Sequence, residues 1–73
     1  MLYKLYVMRK EAKLEQKDVA QEIGMHAVTY GRKERGVNEF TLTEALKLAR
    51  LFDTSVDVLF GELLEKEGGK QNV

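Results

Sequence analysis

QKDVAQEIGMHAVTYGRKERG, residues Gln16 to Gly36, is the stretch whose reading decides the fold. It reads as two short helices joined by a tight turn. Val19, Ala20 and Ile23 recur at helical spacing and point inward from the first of the pair, which spans about Gln16 to Ile23. Ala20 falls where the two helices cross, and a larger side chain there would push them apart. Gly24 ends the first helix as a left-handed C′ residue, a conformation that costs other residues about 1–2 kcal/mol. The second helix runs from about Ala27 to Arg35 and stops at Gly36 for the same reason. Docked through Met25 and Tyr30, it turns His26, Ala27, Val28, Gly31, Arg32 and Arg35 outward.

Helical periodicity continues on both sides. The chain has no Pro, and no alternating β-branched run of strand length is visible. An opening helix spans roughly Leu2 to Ala12, with Leu2, Leu5, Met8 and Ala12 on one stripe and Leu14 as an anchor after it. Val37 to Phe40 is a short connection. Thr41 or Thr43 can cap a fourth helix, and Thr41 with Glu44 has capping-box spacing. That helix places Ala45, Leu46, Leu48, Ala49 and Phe52 at core spacing. Asp53-Thr54-Ser55 forms the next turn, with Ser55 as N-cap. The fifth helix carries Val56, Leu59, Phe60, Leu63 and Leu64 at i, i+3, i+4, i+7 and i+8, a full amphipathic stripe. The expected organisation is one domain over 1–65 and a flexible tail over 66–73, EKEGGKQNV being its polar end from Glu65 onward.

Seventy-three residues make a single small domain with a core near the lower limit for independent stability. Cys is absent and His26 is the single histidine, which excludes disulfides and a zinc site and fits a cytoplasmic protein. The opening residues MLYKLYVMRK are interrupted by Lys4, Arg9 and Lys10, so no signal peptide is read. No run approaches the ~20 apolar residues of a membrane helix. The net charge is zero, but it is unevenly spread. Residues 1–37 carry eight Lys/Arg and five Asp/Glu, a balance of +3; residues 38–73 carry four against seven, a balance of −3. Such a split lets one face meet phosphate while another faces solvent or a partner.

A helix with small and basic residues outward, held by a second helix across a tight turn, suits the major groove of DNA. Five short helices with this unit at the second and third resemble the lambda-repressor/Cro-type, or XRE-like, family. The likeness covers about residues 2 to 64. It rests on Gln16 opening the second helix, Ala20 within it, the turn glycine Gly24, the Glu34-Arg35-Gly36 close of the third helix, and the segment Ser55 to Phe60, SVDVLF. The resemblance implies an all-α, compact five-helix DNA-binding domain with its helix-turn-helix at helices 2 and 3. It also implies that Arg9 pairs with Glu34, fixing the third helix to the scaffold; losing one partner of a buried pair costs about 3–5 kcal/mol. The chain departs from the family pattern at Phe40, where Pro is common, at Lys33, where an apolar residue is usual, and at Tyr30, which replaces a smaller β-branched residue. Lys33 can cover the core with its methylene stem while its ammonium reaches out. Gly31 inside the third helix costs about 1 kcal/mol relative to Ala.

Arg32 is the first candidate for base reading, since a guanidinium bonds guanine O6 and N7 together; Ala27 and Val28 can meet thymine methyl groups. Gly31 either lets the helix backbone approach the groove or relieves crowding beside Tyr30. Gln16, at a helix N-terminus, can hold a phosphate with its side-chain amide and nearby N–H groups. Lys17, His26, Arg35 and Asn38 are the other phosphate candidates. Leu59, Phe60, Leu63 and Leu64 are expected in a symmetric dimer contact. The expected activity is sequence-specific binding of duplex DNA by a homodimeric transcriptional regulator, a repressor by family resemblance, with no cofactor. The alternative is a protein-interaction module, such as an antitoxin, whose acidic half binds a protein partner. One His, one Ser and no Cys assemble no nucleophile–base set, so catalysis is not expected.

Overall fold

The computed structural model describes residues 1–68 and is all-helical over them. Six helical segments follow in order: α1 (Tyr3–Glu11), α2 (Gln16–Ile23), α3 (Ala27–Glu34), α4 (Leu42–Leu51), α5 (Val56–Phe60) and α6 (Glu62–Gly68). α2 packs on α3 and α4, while α1 and α4 both lean on α5. This is the expected five-helix architecture with its last helix divided in two. The expected tail, 66–73, overlaps the last turn of α6, and residues 69–73 of it lie outside the described residues. No helix among the described residues is long and apolar enough to cross a membrane.

Local signals set most of the boundaries. Gly24 has φ +79° and its N–H closes the end of α2, while Met25 N–H reaches back to the Ala20 carbonyl at 2.9 Å. Gly36 has φ +90°, and Val37 N–H bonds the Arg32 carbonyl at 2.9 Å, so the last carbonyls of α3 are satisfied and the chain turns away. Thr41 and Glu44 exchange bonds at the start of α4, 3.1 Å from Glu44 N–H to Thr41 Oγ1 and 2.9 Å from Thr41 N–H to Glu44 Oε1. Ser55 Oγ accepts from Val58 N–H at 3.1 Å and starts α5.

The core gathers Leu2 and Leu5 of the first helical stripe, Val19 and Ile23 of α2, Tyr30 of α3, Leu48 of α4 and Leu59 of α5. Three expectations need correction. Ala12 is exposed, because α1 ends at Glu11 and the face of the stripe is taken over by buried Arg9. Leu46 is also exposed: Ala45, Leu48 and Ala49 fill the buried side of α4, which turns Leu46 outward. The fifth helix is not continuous. It breaks at Gly61, where an added Cβ would stand 2.5 Å from the Asp57 carbonyl oxygen. That carbonyl belongs to the last turn of α5 and accepts the Gly61 N–H at 2.8 Å, so a side chain at the join would crowd the turn it follows.

Phe40, in the position where the resemblance has a proline, wedges the α3–α4 connection. Its ring meets Tyr30 at a centroid distance of 5.7 Å and Phe60 at 5.6 Å, joining α3 to α5. The start of α1 is closed from far along the chain. Leu2 offers no side-chain cap, and Glu62 accepts hydrogen bonds from the N–H groups of Tyr3 and Lys4, both at 2.9 Å.

Candidate nucleic-acid interface

The position of α3 is fixed from beneath by Glu34, which is completely buried. Arg9 approaches it with two donors, Nε to Oε2 at 2.8 Å and Nη2 to Oε1 at 3.1 Å, and its remaining terminal nitrogen donates to the Leu14 carbonyl at 2.9 Å. Gln16 Nε2 donates to Oε1 at 2.9 Å, and the Tyr30 hydroxyl donates to Oε2 at 2.8 Å. Each carboxylate oxygen therefore accepts two hydrogen bonds, contributed by α1, α2 and α3 itself. Burial pushes the Glu34 carboxyl up, but the bonds from Arg9, Gln16 and Tyr30 outweigh it and hold the group below its ordinary range. Tyr30 is driven the other way, first by burial and then by the neighbouring Glu34 charge.

A second tether lies beside it, at the same C-terminal end of the helix. Lys33 does not send its ammonium out to solvent. It donates to Glu44 Oε1 at 2.8 Å in a half-buried pair, above the Phe40 ring. Burial raises the Glu44 carboxyl, yet the bonds from Lys33 and from Thr41 N–H bring it below its ordinary value.

Held in this way, α3 turns Ala27, Val28 and Arg32 outward, with Val28 75% exposed. Arg32 has no ion pair among the described residues. An exposed Val beside an exposed Arg on a helix tied down through its buried side and its C-terminal turn makes a mixed surface, apolar and cationic, that suits the methyl groups and acceptors of base edges. His26 stands exposed at the N-cap of α3, Arg35 at its C-cap and Asn38 just beyond. Lys17 is exposed on α2, 3.6 Å from Glu15.

Two of the expected site residues are placed differently. Gly31 is buried, since the Gln16 side chain and the Arg35 guanidinium lie over it; a Cβ at this position would stand 2.9 Å from Gln16 Oε1. Gln16 in turn has its amide nitrogen on Glu34, and the N-terminus of α2 above it is occupied by carboxylates. Glu15 N–H donates to Asp18 Oδ2 at 2.8 Å in a capping box between these two acids. Negative charge there opposes a phosphate. The E-x-x-D spacing at 15 and 18 is the sequence signal for this cap.

The expected dimer surface also divides. Leu59 is fully buried in the domain's own core, because its place in the stripe faces Leu2 and Leu5 rather than outward. Phe60 is half-buried beneath Phe40. Leu63 and Leu64 remain exposed, at 46% and 73%. Beside them lies an apolar groove of about 370 Å³, with Phe40, Leu42, Ala45, Val56, Phe60 and Leu63 among its walls.

No match was found among curated proteins or among solved structures. The helix-turn-helix family model matches residues 5–59, from the first buried leucine of α1 to the buried leucine of α5. With α2, the Gly24 turn and α3 in place within that span, the chain belongs to the XRE-type helix-turn-helix family of DNA-binding regulators.

Proposed function

We propose that this protein is a sequence-specific transcriptional repressor that binds duplex DNA as a homodimer. The observation that carries the reading is the α3 face: exposed Ala27, Val28 and Arg32 on a helix whose buried side is locked by Glu34 and by the Lys33–Glu44 pair. Reading bases requires such rigidity, because a contact that discriminates between bases must be held in place before it meets them. Arg32 takes guanine, and Ala27 with Val28 takes a thymine methyl. His26, Arg35 and Asn38, at the two ends of α3 and just beyond it, serve the phosphate backbone. The protein would act in the cytoplasm.

Leu63 and Leu64 on α6 support the dimer, with the neighbouring apolar groove as a receiving surface for the other copy. Two recognition helices would then enter successive major grooves ~34–36 Å apart, and the operator would be an approximate palindrome. The same groove favours a second reading, in which a protein partner docks there and controls DNA binding.

Selection of bound sites from a random duplex pool, followed by titration of the best site against salt, tests the proposal. A palindromic consensus and a steep fall of log K with log salt are expected. Failure to retain any duplex at low salt would leave the partner-binding reading in its place.

A further inference from the structure

Gly31 leaves a gap in the outward surface of α3, and the gap is filled from another helix. Gln16 of α2 reaches across so that its Oε1 lies 2.9 Å from where a residue-31 Cβ would stand, with an Arg35 guanidinium nitrogen 3.4 Å from the same point. The amide is oriented, not merely lodged there. Its Nε2 donates to Glu34 Oε1 at 2.9 Å. An ionised carboxylate only accepts hydrogen bonds, and Glu34 is kept ionised by the two-pronged contact with Arg9. The nitrogen of Gln16 must therefore face Glu34, which leaves the oxygen over Gly31. The surroundings disfavour a phosphate, because Glu15 and Asp18 form the cap at the same end of α2.

We propose that Gln16 is a base-reading residue, its Oε1 standing in for the missing side chain at position 31 and accepting a hydrogen bond from an exocyclic amine in the major groove. Adenine N6 and cytosine N4 are the two such donors. The assignment rests on α3 being the helix that enters the groove. Gly31 is then a specificity residue by omission: it makes room for a reader carried by α2. Glu34 becomes a positioning residue, since its charge decides which end of the amide is presented.

Selection from a random duplex pool with the wild-type chain, Gln16→Ala and Gly31→Ala tests this. The Gly31→Ala chain meets only the end of a flexible side chain and gains helix propensity, so it keeps the test decisive should Gln16→Ala fail to fold. Both variants are expected to lose roughly tenfold preference for A or C at one shared position per half-site, with the salt dependence of binding unchanged. A duplex in which that adenine is replaced by purine, or that cytosine by 2-pyrimidinone, lacks only the amine. It should bind the wild type about tenfold more weakly and the Gln16→Ala chain no differently. Equal weakening on all sequences with a shallower salt dependence would make Gln16 a phosphate contact and overturn the assignment, as would unchanged selectivity in both variants. A wild-type chain that selects no sequence would overturn it together with the reading of α3, a result distinct from either of the others.

Discussion

Glu34 is surrounded by four donors and no solvent, so its protonation state and the seating of α3 are one property. Its folded-state pKa lies below the ordinary value of 4.5, so the stability it contributes is fully present above that pH. That contribution is lost as pH falls through the lowered folded value. Tyr30 behaves oppositely. Its pKa is raised above the ordinary 10.0, so the stability tied to its neutral hydroxyl is present below pH 10 and declines as pH rises past it. Denaturant midpoints are expected to be level between about pH 5 and 9 and to fall on either side. Tyr30→Phe should cost about 1.5–3 kcal/mol at neutral pH, since the bond is made to a charged group, and should remove the alkaline decline; denaturation across the pH range reads both. Arg32 lies outside this network. Arg32→Ala should leave stability within about 0.5 kcal/mol and relax preference at one base pair per half-site by about 1–3 kcal/mol, measured by competition binding. Uniform weakening across sequences would instead make Arg32 a phosphate contact.

Turns decide the helix boundaries, and two of them can be compared directly. At Gly24 an added Cβ would meet nothing within 4 Å, so Gly24→Ala should be destabilising by about 1–2 kcal/mol through backbone conformation alone. Lys13, in the turn after α1, holds φ +60° with a full side chain. Lys13→Gly should therefore stabilise the chain by about 1 kcal/mol, and urea denaturation of the two variants should move in opposite directions. Elements closed by residues three or four apart were legible in the sequence, as at Gly24, Gly36, Thr41–Glu44 and Ser55. The join at Gly61 was not, because the leucines on both sides keep helical spacing through it. Leu46 misled for a related reason. Its spacing matched a core stripe, but Ala45, Leu48 and Ala49 already span the side of α4 that α2 and α5 cover.

At the scale of the whole molecule, the recognition helix was legible as an outward face of small and basic residues. The part that faces inward was less so. Arg9–Glu34 came from the resemblance, while the Tyr30 hydroxyl and the Gln16 amide on the same carboxylate require knowing which way three helices cross. Gly31 read as outward because a helical wheel does not see a side chain arriving from another helix. The expected dimer stripe divides for a comparable reason, since its positions fall on two helical segments with different surroundings: Leu59 is buried on α5, and Leu63 and Leu64 are exposed on α6. Substituting Leu63→Lys together with Leu64→Lys should halve the sedimenting mass and weaken operator binding, and should leave the helical circular dichroism intact. An unchanged mass would overturn the proposed dimer.

Glu62 gives this last helix a readable state. The first N–H groups of a helix normally have no protein partner, so amide protons at Tyr3 and Lys4 would exchange with solvent almost at once if α1 stood alone. Their bonds to Glu62 span sequence separations of 59 and 58 residues. Slow exchange at these two amides therefore reports that α6 is seated, and fast exchange that it has swung away while the remaining helices hold. Hydrogen-exchange NMR on the Glu62→Ala chain should show Tyr3 and Lys4 losing protection with amides elsewhere in α1 little changed. The same two protons would then serve as a built-in gauge for anything that lifts α6, whether heat, a second copy or a protein partner.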